Sequence, residues 1–151
     1  MVHINQAGVG NIETIIPLFA VYRIFYNLES DPAALRDYLY ERPTNHQCVT
    51  FLAYADNIAL GFTQLYLGFS SLSLNNSWAL NDLCVVPEAR GLWVGRKLLD
   101  RAKQIAEATW ACEIMLQTAA DNISAQDLYK KLGYQCDNDF YIYTLELADA
   151  S

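Results

Sequence analysis

The sequence is short of the residues that metal and redox chemistry rely on. It has two histidines, His3 and His46, neither at metal-ligand spacing from a second ligand, and four cysteines, Cys48, Cys84, Cys112 and Cys136, none in a CxxC pair. No metal site is expected, and cysteines this far apart read as reduced, mostly buried thiols. Apolar runs long enough to span a bilayer are missing, as is the basic patch and apolar stretch that opens a secretory leader, so a cytoplasmic protein without a membrane partner is expected. No repeat, low-complexity tract or Pro/Gly/Ser linker marks an internal boundary, and residues 1–151 read as a single domain. Basic residues are scarce: ten Lys and Arg stand against seventeen Asp and Glu, a formal net charge of −7. That field repels nucleic acid and attracts small cations, and it serves solubility equally well.

With 53% hydrophobic residues over 151 positions, the chain can bury a sufficient core by itself. His3 to Ala7 predicts a short strand. Ile12, Ile15, Ile16, Phe19, Tyr22 and Phe25 recur at helical spacing and predict a helix from Asn11 to about Asn27, and Asp31-Pro32 opens a second helix running to about Arg42. Cys48 to Ala55 and Ile58 to Tyr66 are β-type runs joined by Asp56-Asn57, a two-residue hairpin turn. After a looser stretch, Leu67 to Asn76, a strand is expected from Ser77 to Val86. A long helix follows over Leu92 to Thr109, then a strand at Ile114 to Thr118, a helix from a capping serine at Ser124 to Leu132, and a last alternating strand at Phe140 to Leu147. The fold class is α/β in the α+β mixed-sheet sense, a central mixed sheet flanked by helices.

In such sheets ligands sit at the carboxyl ends of central strands, which directs attention to Val85 to Arg96. A glycine-bearing turn that opens a helix offers unpaired N–H groups and a positive dipole end to one point, which suits a pyrophosphate. Arg90, Arg96 and Lys97 add local positive charge in an acidic chain.

The run Val85-Val86-Pro87-Glu88-Ala89-Arg90-Gly91-Leu92-Trp93-Val94-Gly95, followed by Leu98-Leu99, resembles the V-x-P-E-x-R-G-x-G-x-G signature of the GNAT acetyltransferases. Asn122-Ile123-Ser124-Ala125-Gln126-Asp127-Leu128-Tyr129-Lys130-Lys131-Leu132-Gly133-Tyr134 is similar to that family's second signature, N-x-x-A-x-x-L-Y-x-K-L-G-F/Y. The departure is Trp93, which stands where the family has its middle glycine. Helical φ and ψ are open to tryptophan, so its side chain either crowds the cofactor or points outward.

The resemblance implies a GNAT acyl-CoA N-acyltransferase fold and transfer of an acetyl group from acetyl-CoA to an amine in a ternary complex. It implies cofactor contacts at Leu83, Cys84, Val85, Arg90, Gly91, Leu92, Trp93, Val94, Gly95, Arg96, Asn122, Ala125 and Tyr129. Tyr129 corresponds to the family tyrosine that protonates the departing thiolate. Relatives often carry acidic residues at the positions of Asn81 and Asp82; Asn81 cannot take a proton, which leaves Asp82 as the candidate base. Some base or water chain is needed, because an alkyl ammonium with a pKa of about 10.4 is neutral in only about one molecule in a thousand at pH 7. Alternation along a strand puts Asn81 and Asp82 on opposite faces unless the strand bulges. The acceptor, a small cationic amine or basic peptide, is expected against Tyr22, Tyr26, Glu29, Asp31 and Asp82, although Tyr22 and Phe25 also fit as plain core residues. A homodimer is common among such proteins, with Phe140-Tyr141-Ile142-Tyr143 as the candidate interface. Two other readings stay open: a catalytically weakened CoA-binding sensor or scaffold, and an acyltransferase for a different acyl-CoA.

Overall fold

A computed structural model describes residues 1–148, and the chain falls into two compact units that divide after Gln117. In the first unit a five-stranded sheet runs in the order β1 (His3–Gln6), β2 (Cys48–Ala55), β3 (Ile58–Ser70), β4 (Asn75–Val85), β5 (Ile114–Leu116). The first four strands are antiparallel neighbours, and β5 lies parallel to β4. Parallel pairing needs a crossover, supplied by helix α3 (Val94–Ala108). Helices α1 (Ile12–Phe25) and α2 (Pro32–Thr44) fill the connection between β1 and β2.

The two faces of the sheet are separated by strand alternation. Leu52 and Phe62 pack with Ile12, Ile15, Leu18 and Phe19 of α1 and Leu35 and Leu39 of α2. Phe51, one residue from Leu52, points the other way, where the Arg101 guanidinium of α3 lies 4.9 Å from its ring centre. On that same side the Trp78 indole N–H donates to Thr109 Oγ1 at the end of α3, at 3.0 Å. α3 buries Val94, Leu98, Leu99, Ala102 and Ala106, a stripe at helical spacing, with Ile105 beside it only partly buried.

Several local expectations are met for the reasons given. Asp56 and Asn57 adopt φ values of 48° and 64°, the left-handed pair a two-residue hairpin turn requires. Asp31 caps α2, its carboxylate accepting from the Ala33 N–H at 3.3 Å.

Other expectations are corrected. The stretch Leu67 to Asn76 is mostly strand, since β3 runs on to Ser70 and β4 starts at Asn75. The long helix starts at Val94, not Leu92, because Gly91 and Trp93 both take positive φ. Cys48 is buried and Cys84 partly so, whereas Cys112 and Cys136 are exposed; all four are free. Phe25 is exposed and no part of the core, while Tyr22 packs partly buried against it.

The second unit begins at Thr118. Its helix α4 (Ile123–Lys131) is capped by Asn122, whose Oδ1 accepts the Ala125 N–H at 3.3 Å, so the expected cap at Ser124 is displaced by two residues. Only a side chain at the N-cap position reaches that amide. Gly133, at φ 95°, closes the helix. Phe140 to Leu147 is paired with no strand among the described residues, so the predicted last strand is absent; the apolar side chains of this segment are 73–91% exposed.

Candidate active site

The decisive local feature is an extra residue in β4. Leu80 pairs with Leu65 and Asp82 with Gln64, so Asn81 has no partner across the β3–β4 ladder and forms a bulge. Ahead of the bulge Trp78 faces α3; past it, Asp82 lies opposite Gln64 and Cys84 opposite Phe62, on the face of α1 and α2. One inserted residue reverses the alternation and brings Asn81 and Asp82 to the same cavity.

That cavity has a volume of about 600 Å³. Asp82, 2% exposed, lies at its buried end, with Tyr22, Tyr26, Tyr38 and Tyr66 around it. Tyr22 and Tyr26 meet edge to face at 5.2 Å, and Phe19 backs Tyr22 at 5.9 Å. The Tyr22 hydroxyl donates to the Asn81 carbonyl oxygen at 3.2 Å, and Asn81 Nδ2 donates to Asp82 Oδ1 at 3.1 Å. The Tyr66 hydroxyl donates to Asp82 Oδ2 at 3.4 Å, receives Gln64 Nε2 at 3.1 Å, and lies 2.6 Å from the Tyr38 hydroxyl.

Burial pushes the Asp82 carboxyl above its ordinary range, against the pull of the Asn81, Tyr22 and Tyr66 donors. Burial, then the Asp82 charge, raise the Tyr22 and Tyr66 hydroxyls far above theirs, so both remain protonated donors. The site therefore holds a shielded carboxyl of enhanced basicity within aromatic walls.

Of the residues anticipated for the acceptor, Tyr22, Tyr26, Asp31 and Asp82 line the cavity. Glu29 is not among its lining residues; its backbone oxygen receives Arg23 Nη2 at 3.3 Å. Arg23, Tyr38 and Tyr66 line the cavity without having been singled out from the sequence. Tyr38 and Tyr66 come from a helix and a strand 28 positions apart, so only the fold joins them. A wider depression of about 900 Å³ beside β1 and the β2–β3 turn has a single buried lining residue, Leu52, and no comparable polar centre.

At the carboxyl end of β4, pairing with β5 stops at Leu80 and Leu116, so the edge carrying Leu83, Cys84 and Val85 has no strand partner on that side among the described residues. Beyond it Arg90, Gly91 and Leu92 lead into α3. Trp93 is the N-cap residue, in the left-handed conformation at φ 64° and ψ 18°, contrary to the helical geometry expected from the sequence. The N–H groups of Val94, Gly95 and Arg96 find no acceptor among the described residues; intrahelical bonding begins with Lys97. An unpaired strand edge followed by a glycine turn and three free helical amides fits an extended ligand ending in phosphates. In the second unit, Asn122 and Ala125 form the N-cap pair of α4, and the Tyr129 ring lies 5.8 Å from that of Tyr134.

The model of the acetyltransferase (GNAT) family matches residues 15–134. The chain is 40% identical over 145 residues to the uncharacterized N-acetyltransferase YhfO of Bacillus subtilis, covering 96% of this chain and 97% of that protein. It is 29% identical over 138 residues to the thialysine N-epsilon-acetyltransferase of Bos taurus, covering 87% and 81%. A crystal structure of a probable acetyltransferase matches with a TM-score of 0.91 at 42% identity, over 97% of this chain and 99% of that one.

Proposed function

This chain belongs to the GNAT acetyltransferase family, and from that premise we propose that it acetylates the primary amine of a small cationic molecule or basic peptide, using acetyl-CoA as donor and the cavity at Asp82 as acceptor site. The observation that carries this is the Asn81 bulge, which turns a buried carboxyl into an aromatic cavity. Aromatic faces attract an alkyl ammonium, and Asp82 both pairs with it and takes its proton. The thialysine enzyme is named for an amino acid with a side-chain amine, which supports a small amine acceptor.

Acetyl-CoA supplies the acetyl group as a thioester. The unpaired edge of Leu83 to Val85 would hold its extended arm, and Arg90, Gly91 and the amides of Val94 to Arg96 its pyrophosphate. Tyr129 Oη carries the proton the departing thiol needs. The family model runs across the boundary at Gln117, which supports reading the two units as parts of one domain. The exposed apolar run from Phe140 to Leu147 supports a homodimer in which this segment is the interface. Among the described residues no helix is long and apolar enough to cross a membrane.

The test is release of free CoA thiol from acetyl-CoA across polyamines, amino acids, aminoglycosides and a basic peptide, with Asp82→Asn and Tyr129→Phe beside the unaltered chain. Turnover of one acceptor class, slowed in both variants, is expected. CoA binding with no turnover of any amine would favour a sensor instead.

A further inference from the structure

The cavity at Asp82 is not simply acidic. Arg23, on the last turn of α1, lines it together with Asp82 and Asp31. Its Nε donates to Ser30 Oγ at 2.8 Å and its Nη2 to the Glu29 carbonyl oxygen at 3.3 Å. Both partners are neutral. The other two arginines of α1 and α2 are ion-paired, Arg36 with Glu13 and Arg42 with Glu41, each at 2.8 Å, whereas no carboxylate lies within 4.0 Å of the Arg23 guanidinium among the described residues. A guanidinium has five N–H donors, and two are engaged here, so the group is held in place with donors to spare. In a chain of net charge −7, a cation held on the cavity wall with no carboxylate within 4.0 Å has its remaining donors open to an anionic group on a ligand.

We propose that Arg23 reads a carboxylate on the acceptor, so that the substrate is an amino acid or a close relative, with its reacting amine toward Asp82 and its carboxylate toward Arg23, and not a simple polyamine. This deepens the proposed function and rests on it. Cation and carboxyl on one cavity wall recognise a molecule carrying the opposite charges at its two ends. A diamine would place its second ammonium in the field of Arg23 and be disfavoured by like-charge repulsion. Because Arg23 touches the part of the acceptor away from the reacting nitrogen, it governs specificity and not proton transfer.

The test compares matched acceptors: L-lysine against cadaverine, L-ornithine against putrescine, and L-lysine methyl ester, which keeps the size and loses the anion. The measurement is kcat/KM for thiol release from acetyl-CoA. The amino acid of each pair should be preferred by about tenfold or more, the ester should behave like the diamine, and Arg23→Gln should bring the ratio toward one, chiefly through KM. Ser30→Ala removes a tie on Arg23 but not its charge, and should keep the preference; if it abolishes the preference as fully as Arg23→Gln, Arg23 is only a loop brace. Thermal melts of both variants establish that they fold. Diamines used as well as or better than their carboxylated partners, or a ratio unchanged in Arg23→Gln, overturn this inference and leave the acetyltransferase cavity standing. Silence with every amine, carboxylated or not, overturns the acceptor cavity itself, and this inference with it.

Discussion

At the scale of single residues, Asp82 and Trp93 are the two that depart most from what their surroundings favour. Asp82 is a carboxyl with almost no exposure, its proton affinity raised by burial. The folded state therefore binds its proton more tightly than the unfolded chain, so its contribution to stability is complete below the ordinary carboxylate range and is lost as pH rises through the elevated pKa. Asp82→Asn should raise the thermal midpoint at pH 7, with the gain vanishing in acid, while lowering kcat/KM by about 10²- to 10⁴-fold, the usual worth of a general base. Melting curves and thiol-release rates across pH check both signs. Activity of the unaltered enzyme should rise with pH as Asp82 ionises. Trp93 occupies left-handed backbone, where a side chain costs about 1–2 kcal/mol, and the residue is 67% exposed, so little packing offsets that cost. Trp93→Gly should stabilise the chain by about 1 kcal/mol, or ~2 to 4 °C in Tm, and tighten acetyl-CoA binding by calorimetry.

At the scale of elements, β4 organises the site by having one residue too many. Deleting Asn81 would restore plain alternation with Asp82 still opposite Gln64 on the face of α1 and α2, but would remove the Asn81 Nδ2 donor to Asp82 and the carbonyl oxygen that accepts from Tyr22. The expected outcome is a chain that still folds, with a loss of about 1–3 kcal/mol by denaturant titration from the missing hydrogen bonds and slower acetyl transfer. The β3–β4 approach is also tight at Gly61, where an added Cβ would stand 2.5 Å from the Cys84 carbonyl oxygen. Backbone cannot rotate away, so Gly61→Ala should cost about 1–3 kcal/mol, and the strain would fall on the strand edge at Cys84 and Val85.

At the scale of the whole molecule, the segment from Phe140 to Leu147 leaves its aromatic and aliphatic side chains in solvent. Its three aromatics alone would bury some 450–750 Å² if covered, which approaches the roughly 800 Å² per partner of a standard interface. Sedimentation at micromolar concentration should show a dimer, and Ile142→Glu with Tyr143→Glu should dissociate it. A monomeric unaltered chain would instead mean that no second copy covers this segment.

How much of this was legible beforehand follows from the range of the forces involved. Helix periodicity, the Asp31 cap and the Asp56-Asn57 turn are local, so the sequence alone determined α1 to α3, the first hairpin and the glycine turn that opens α3; its signature segments also pointed to the family. The cavity was not local. Whether Asn81 and Asp82 share a face depends on a ladder register between β3 and β4, and Tyr38, Tyr66 and Arg23 become cavity walls only once α1 and α2 pack on the sheet. Trp93 shows the same limit: its identity was plain, but its left-handed geometry is imposed by how the turn must leave β4 and enter α3. Sequence determined the elements and the chemistry they carry, and tertiary packing decided which side chains meet, because register and burial are properties of pairs of elements and belong to neither one.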